Sequence, residues 1–208
     1  MEPLRRSLHR ELSVVPGIRR LHPPDAVSLV ALRREALVNS PLAFEASPDD
    51  DRGLELDLVR ASLADEREQA VFGYFEGASL AGMVGVARAS GAKRRHKAYV
   101  WGMYVAPRAR RKGAGRALLE AAIANARVWP GIERLHLSVT SAAAEARRMY
   151  EEAGFRVWGE EERALQWKGR FVDETHLVLE LDRPEEGSRK SHGRPRPGLI
   201  RRPRRPRA

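Results

Sequence analysis

A chain of 208 residues is long enough for one good-sized hydrophobic core with tails. It has no cysteine, which excludes a disulfide framework, thiolate metal sites and a cysteine nucleophile, and suits a reducing cytosol. The net charge of +10 suggests nucleic acid until it is located: residues 183–208 hold ten Lys/Arg against two acids, which leaves the preceding residues at only +2.

Residues 1–13 are charged and unpatterned, a lead-in expected to be flexible. They lack the continuous apolar stretch of a secretory signal, and no apolar run approaches the roughly 20 residues of a membrane span. We therefore expect a cytoplasmic protein without membrane association. A single domain over residues 14–182 is expected, followed by an Arg/Pro-rich tail at 183–208 whose composition predicts disorder.

Within the domain, "VVPGIRRL" predicts a short strand. "PPDAVSLVALRREALVNSP" predicts a helix capped by Asp25, with Val30, Leu32, Ala36 and Leu37 near helical spacing and Pro41 closing it. "ASPDDDRGLELDLVRASLADE" reads as an acidic turn leading into a second helix, with the acids at the positive end of its dipole. "QAVFGYFEGASLAGMVGVARAS" predicts a β-hairpin around Glu76-Gly77, and "GAKRRHK" a polar loop. "AYVWGMYVAP" is a strand stopped by Pro107. "GRALLEAAIANARVW" is a helix with Leu118, Leu119, Ala122, Ile123 and Ala126 on one face. A strand "IERLHLSV", a helix "AAAEARRMYEEAG" ended by Gly154, and strands "FRVWGE" and "THLVLELD" complete the order. That order predicts an α/β (α+β) mixed sheet with packed helices, in which the segment from Tyr99 to Val139 forms a parallel strand–helix–strand crossover.

The richest stretch is "WGMYVAPRARRKGAG". Gly113 and Gly115 stand where a strand hands over to a helix. Glycine permits close backbone approach, and a helix start exposes unpaired N–H groups at the positive end of the dipole, so the stretch predicts a phosphate site. Arg108, Arg110, Arg111, Lys112 and Arg116 add charge. Neither the Gly-Lys-Ser/Thr order of a Walker loop nor G-x-G-x-x-G is present. The pattern is R-x-x-G-x-G, as Arg110-Arg111-Lys112-Gly113-Ala114-Gly115.

On that loop, the strand Trp101 to Pro107 before it, and the segment Ala146-x-x-Met149-Tyr150-Glu151-Glu152-x-Gly154-Phe155, the chain resembles the GNAT (Gcn5-related) N-acetyltransferase family. "SPLAFEAS" and "VDETHLVLEL" add to the likeness, which spans about Val14 to Leu181. The resemblance implies the acyl-CoA N-acyltransferase fold, a mostly antiparallel mixed sheet with one splayed parallel strand pair. It implies acetyl-CoA as co-substrate, no metal, and a primary amine acceptor, small molecule or peptide, attacking directly in a ternary complex. Backbone groups of Gly113, Ala114 and Gly115, with Arg110, Arg111, Lys112 and Arg116 around them, would hold the pyrophosphate. Main-chain groups of Met103, Tyr104 and Val105 would hold the pantetheine arm and polarise the acetyl carbonyl. Tyr150 would protonate the departing thiolate. Similar proteins are often homodimers.

Two positions depart from the family pattern. Where members often carry Asn, this chain has Ala143, with Ser141 nearby to supply the missing contact. No acid occurs between Glu76 and Glu120, so the usual strand carboxylate is not available as base. The candidates are His96, His136, Glu174, His176 or a water chain. Lys93, Arg94 and Arg95 suit an anionic acceptor, and Asp173 or Glu174 its amine. Two competing readings stand beside this one: a CoA-binding module without catalysis, and a nucleic-acid- or ribosome-associated acetyltransferase whose only nucleic-acid contact is the basic tail.

Overall fold

The computed structural model describes residues 17–181, so the expected lead-in at 1–13 and the tail at 183–208 lie outside the described residues. The strands are β1 (Ile18–Arg20), β2 (Gln69–Glu76), β3 (Ser79–Arg88), β4 (Lys97–Val105), β5 (Arg134–Thr140), β6 (Arg156–Trp167) and β7 (Arg170–Glu180). The helices are α1 (Ala26–Asn39), α2 (Leu56–Ala64), α3 (Ala114–Val128) and α4 (Ala144–Glu152). One sheet joins all seven strands in the order β1-β2-β3-β4-β5-β7-β6. Its neighbours are antiparallel except β4 and β5, the parallel pair that α3 connects. This is the mixed sheet expected from the order of elements. Among the described residues no helix is long and apolar enough to cross a membrane.

Strand alternation sends apolar side chains to both faces of the sheet. On one face Val84, Val100, Leu135, Leu137 and Leu177 pack with Leu118, Leu119 and Ala122 of α3 and Tyr150 of α4. On the other, Val71, Met83 and Tyr104 pack with Leu29 and Leu32 of α1 and Val59 and Leu63 of α2. Each fully buried leucine, such as Leu118, contributes about 1.5–3 kcal/mol of transfer free energy. The two clusters hold the sheet rigid between helix layers.

A bulge in β4 shapes the centre of the sheet. Met83 pairs with Tyr104, but Gly85 pairs with Trp101, so β4 carries one extra residue between them. Gly102 lies in this bulge at φ +63°, a conformation that side chains disfavour. Beside it, β4 pairs with β5 only at Lys97–Arg134, Ala98–Leu135 and Tyr99–His136. β5 nevertheless runs on to Thr140, paired throughout with β7. The two parallel strands form a fork, closed at Tyr99 and His136 and open toward Val105 and Thr140.

Two local expectations need correction. Asp25 does not cap α1: its carboxylate accepts the His22 N–H at 2.9 Å and two bonds from the Arg19 guanidinium at 2.6 and 2.8 Å. The last two strands are also much longer than "FRVWGE" and "THLVLELD" suggest. They form a ribbon closed by Lys168-Gly169, both at positive φ as a tight hairpin turn requires. β6 is mostly exposed and charged from Glu160 to Arg163, so it shows no apolar alternation to read.

Candidate active site

The fork and the start of α3 meet at one point. β4 leaves through Pro107–Ala109, and the chain enters α3 behind Gly113 at φ +80°. Among the described residues no side chain caps α3, and a Cβ built on Gly113 would meet nothing within 4 Å. The first-turn N–H groups, which a helix leaves without internal acceptors, therefore begin beside open space at Gly113. Such an arrangement accepts an anion. A Cβ on Gly115 would stand 3.8 Å from Val105 Cγ2, which sets this turn beside the open end of β4.

The loop cations are less available than their number suggests. Arg108 donates to the Leu80 carbonyl at 3.1 Å and approaches Glu35 at 3.5 Å. Lys112 pairs with Glu76 at 2.7 Å, and Arg116 with Glu120 at 3.0 Å. Arg110 folds back so that its Nε donates to the Val105 carbonyl at 2.9 Å. That carbonyl, one of the expected pantetheine contacts, is thus already engaged. Among the described residues Arg111, exposed and at φ +60°, has no side-chain partner.

Met103 packs toward α3, whereas the Tyr104 ring lies on the α1 face. The Tyr104 hydroxyl donates to Glu35 at 3.1 Å and accepts from Asn39 at 3.3 Å, and burial pushes its pKa up. Glu35 brings a carboxylate to β4 from α1, a contact across 69 residues that no local pattern announces.

Tyr150 is 5% exposed on α4, with its ring 6.1 Å from that of Phe155. Burial pushes the phenol well above its usual range. Among the described residues its hydroxyl has no hydrogen-bond partner. Ala143 precedes α4 without capping it, and the Ser141 Oγ accepts the Asp173 N–H at 3.3 Å.

The candidate bases separate along the fork. His96 stands at the closed end, where its carbonyl accepts the Glu133 and Arg134 N–H groups, beside a cavity of ≈ 570 Å³ lined by Glu66 and Trp129. His136 is also at the closed end, with its ring 5.5 Å from Tyr99 and its Nε2 buried without a partner. Burial, helped by Lys97 and Arg134, holds its pKa low. Lys93, Arg94 and Arg95 occupy the loop at this end too. Arg94 bonds the Tyr99 hydroxyl and Arg95 pairs with Glu68 at 2.5 Å.

Glu174 lies at the open end, opposite Thr140 in the β5–β7 register. It is 8% exposed, and burial together with the Glu45 carboxylate raises its pKa; Glu161 adds to the rise and His176 opposes it. Ligand atoms of Glu161, Glu174 and His176 all lie within 4.8 Å of one another. His176 Nδ1 is 2.8 Å from Ser138 Oγ, and its Nε2 is 3.6 Å from Glu161. The Thr140 hydroxyl donates to the Leu42 carbonyl at 2.7 Å, fastening the segment that carries Glu45 to the end of β5. Sequence reasoning missed Glu45 and Glu161: one lies in "SPLAFEAS", where no role attaches to the acid, the other in a strand without periodicity.

Comparison with known proteins agrees with this geometry. A model of the acetyltransferase (GNAT) family matches residues 31–155. No curated protein matches the sequence. Among solved structures, a GNAT-family acetyltransferase from Streptococcus pneumoniae superposes with a TM-score of 0.69 at 26% identity, covering 78% of this chain and 98% of its own. A ribosomal-protein-alanine N-acetyltransferase from Brucella melitensis gives 0.69 at 24% identity, covering 79% and 99%. A phosphinothricin acetyltransferase from Sinorhizobium meliloti, solved with acetyl-CoA, gives 0.69 at 20% identity, covering 82% and 93%. The forked sheet, the uncapped helix start at its mouth and the matched residues lead to one conclusion: this chain belongs to the GNAT family of acetyltransferases, enzymes that take their acetyl group from acetyl-CoA.

Proposed function

We propose that the protein moves an acetyl group from acetyl-CoA to a primary amine, small molecule or peptide, by direct attack in a ternary complex. The observation that carries this reading is the β4–β5 fork with the uncapped start of α3 at its mouth. The open space at Gly113 fits a pyrophosphate on the N–H groups of Gly113, Ala114 and Gly115. Arg111, without a side-chain partner among the described residues, can turn toward it, while Arg110, Lys112 and Arg116 contribute field from their own ion pairs and bonds. Main-chain groups of Met103 and Tyr104 lie along the part of β4 beyond its pairing with β5, where an N–H can polarise the acetyl carbonyl.

Acetyl-CoA supplies an acyl group activated as a thioester. Glu174, at the open end, accepts the proton that the attacking ammonium must lose, and burial, with the Glu45 carboxylate, raises its pKa and so makes it a stronger base than a free carboxylate. Tyr150, kept protonated by burial, donates its proton to the departing thiolate. Without cysteine, a thioester-linked acyl-enzyme cannot form. The same lack of cysteine supports a reducing, cytoplasmic setting.

Calorimetry with acetyl-CoA and a thiol-release assay over a panel of amines test this reading together. Binding with turnover supports it. Binding without thiol release from any amine leaves a CoA-binding module, and no binding rejects both.

A further inference from the structure

We infer that the acceptor is an aromatic amine whose ring lies on Trp158, in a groove on the α1 side of the sheet, while its amine reaches Glu174. This rests on the acetyl-transfer reading above and names the substrate class of the same site. The α3 side of the fork is filled, because Val100, Leu135, Leu137 and Leu177 pack there with α3 and Tyr150. On the other side α1 and α2 pack over β2, β3 and β4, and their cluster takes no residue from β5, β6 or β7. Among the described residues that uncovered part of the sheet holds a groove of ≈ 390 Å³, a size suited to a small organic ligand. An amine can therefore approach an acyl group held in the fork from the α1 side.

The groove is walled by rings, one from each of four strands: Tyr99 of β4, His136 of β5, Trp158 of β6 and His176 of β7. They follow one another in contact. Tyr99 lies 5.5 Å from His136, whose ring meets the edge of Trp158 at 6.3 Å, and Trp158 stacks on His176 at 5.4 Å. Trp158 is the extra residue of a bulge, since Val157 pairs with Leu177 and Gly159 with His176. Bulges of this kind aim a side chain at a site rather than extend a ladder. Although it rests on His176, Trp158 is 61% exposed, so the rest of its ring is free to stack on a ligand.

The two ends of the groove differ in charge. One end reaches His176, which has a ring nitrogen within 4.8 Å of a Glu174 carboxylate oxygen. The other end holds Lys97 and Arg134, register partners at the closed end of the fork, and no acid lines the groove. Glu180 pairs with Arg134 at 3.1 Å from outside it. Cations at the closed end repel an ammonium. They leave the Glu174 end for the amine and the ringed middle for the body of the molecule. An arylalkylamine satisfies both, and an aliphatic amine leaves the Trp158 ring without a stacking partner.

The test compares 2-phenylethylamine with 2-cyclohexylethylamine, which has the same carbon skeleton and an equally apolar, saturated ring. Burial alone gives no preference for the phenyl compound. Thiol release from acetyl-CoA, and calorimetry in the presence of CoA, are measured on the full chain and on Trp158→Leu. The readout is the ratio of kcat/KM for the two amines within each protein, which a loss of folded fraction does not move. The expected ratio is roughly 5-fold in favour of phenylethylamine in the parent, falling toward unity in Trp158→Leu. A ratio of one in the parent, or no reaction and no binding of either amine while another amine is acetylated, overturns the inference and leaves acetyl transfer standing. A preference that persists in Trp158→Leu overturns the assignment to this groove. Selective binding of phenylethylamine without thiol release supports the groove and rejects the acetyl-transfer reading.

Discussion

Gly115 of α3 lies beside Met149 of α4: a methyl group placed on Gly115 would stand 3.3 Å from the Met149 Sδ. Met149 precedes Tyr150, so the turn proposed to hold pyrophosphate adjoins the helix that carries the phenol proposed to donate a proton. Gly115→Ala is expected to push the Met149 side chain aside by a few tenths of an ångström and lower kcat a few-fold, since small misplacements of reacting groups are costly. Met149→Ala in the same chain makes room and should recover most of the loss. Steady-state kinetics of both variants check this, and an unchanged kcat in Gly115→Ala rejects the coupling.

Gly113 separates strain from charge. Its φ of +80° disfavours any side chain, but the space around it is open. Gly113→Ala should therefore cost about 1 kcal/mol of stability and leave acetyl-CoA binding within a few-fold. Gly113→Glu sets a carboxylate where a pyrophosphate belongs and should abolish binding. Calorimetry on the pair decides, and equal affinities would remove the loop from the cofactor site.

Tyr150→Phe removes a hydroxyl that has no hydrogen-bond partner among the described residues, so Tm should stay within a degree or two of the parent's. If the hydroxyl is the acid, kcat falls roughly 100-fold while the KM for acetyl-CoA changes little. An unchanged kcat returns Tyr150 to packing alone.

Glu174 links activity to pH-dependent stability. Its folded carboxyl keeps a proton to higher pH than in the unfolded chain, chiefly through burial and Glu45. Between those two pKa values the folded state binds more protons, so stability falls as pH rises through that window. Glu174→Gln abolishes the effect: its Tm should exceed the parent's near neutral pH and match it near pH 4. Its kcat should fall roughly 100-fold as the base is lost. A variant less stable than the parent at neutral pH would contradict the environment assigned to Glu174.

Much of this was legible in the sequence because the signals were local. The α3 stripe from Leu118 to Ala126, the hairpin around Glu76-Gly77 and the Gly113 helix start all follow from neighbouring residues. What was not legible lies in register. That Glu161 faces Glu174 depends on how β6 and β7 align past an irregularity after Glu161. That Glu45 joins them depends on the Thr140 bond to Leu42, which spans 98 residues. Ranking His96, His136 and Glu174 required the fork's closed and open ends, which no spacing in the chain encodes.

The extra residue of β4 also changes which rows of the strand are odd and which even. Before Gly102 the odd-numbered Tyr99 and Trp101 lie on the side of α1, with Trp101 over Gly85. After it the even-numbered Tyr104 takes that side, and Met103 and Val105 join Ala98 and Val100 against α3. The strand is therefore read in two frames, and Gly102 is the frameshift between them. Deleting that one glycine would exchange the neighbours of every side chain from Met103 to Val105. No substitution at a single position in β4 could do as much.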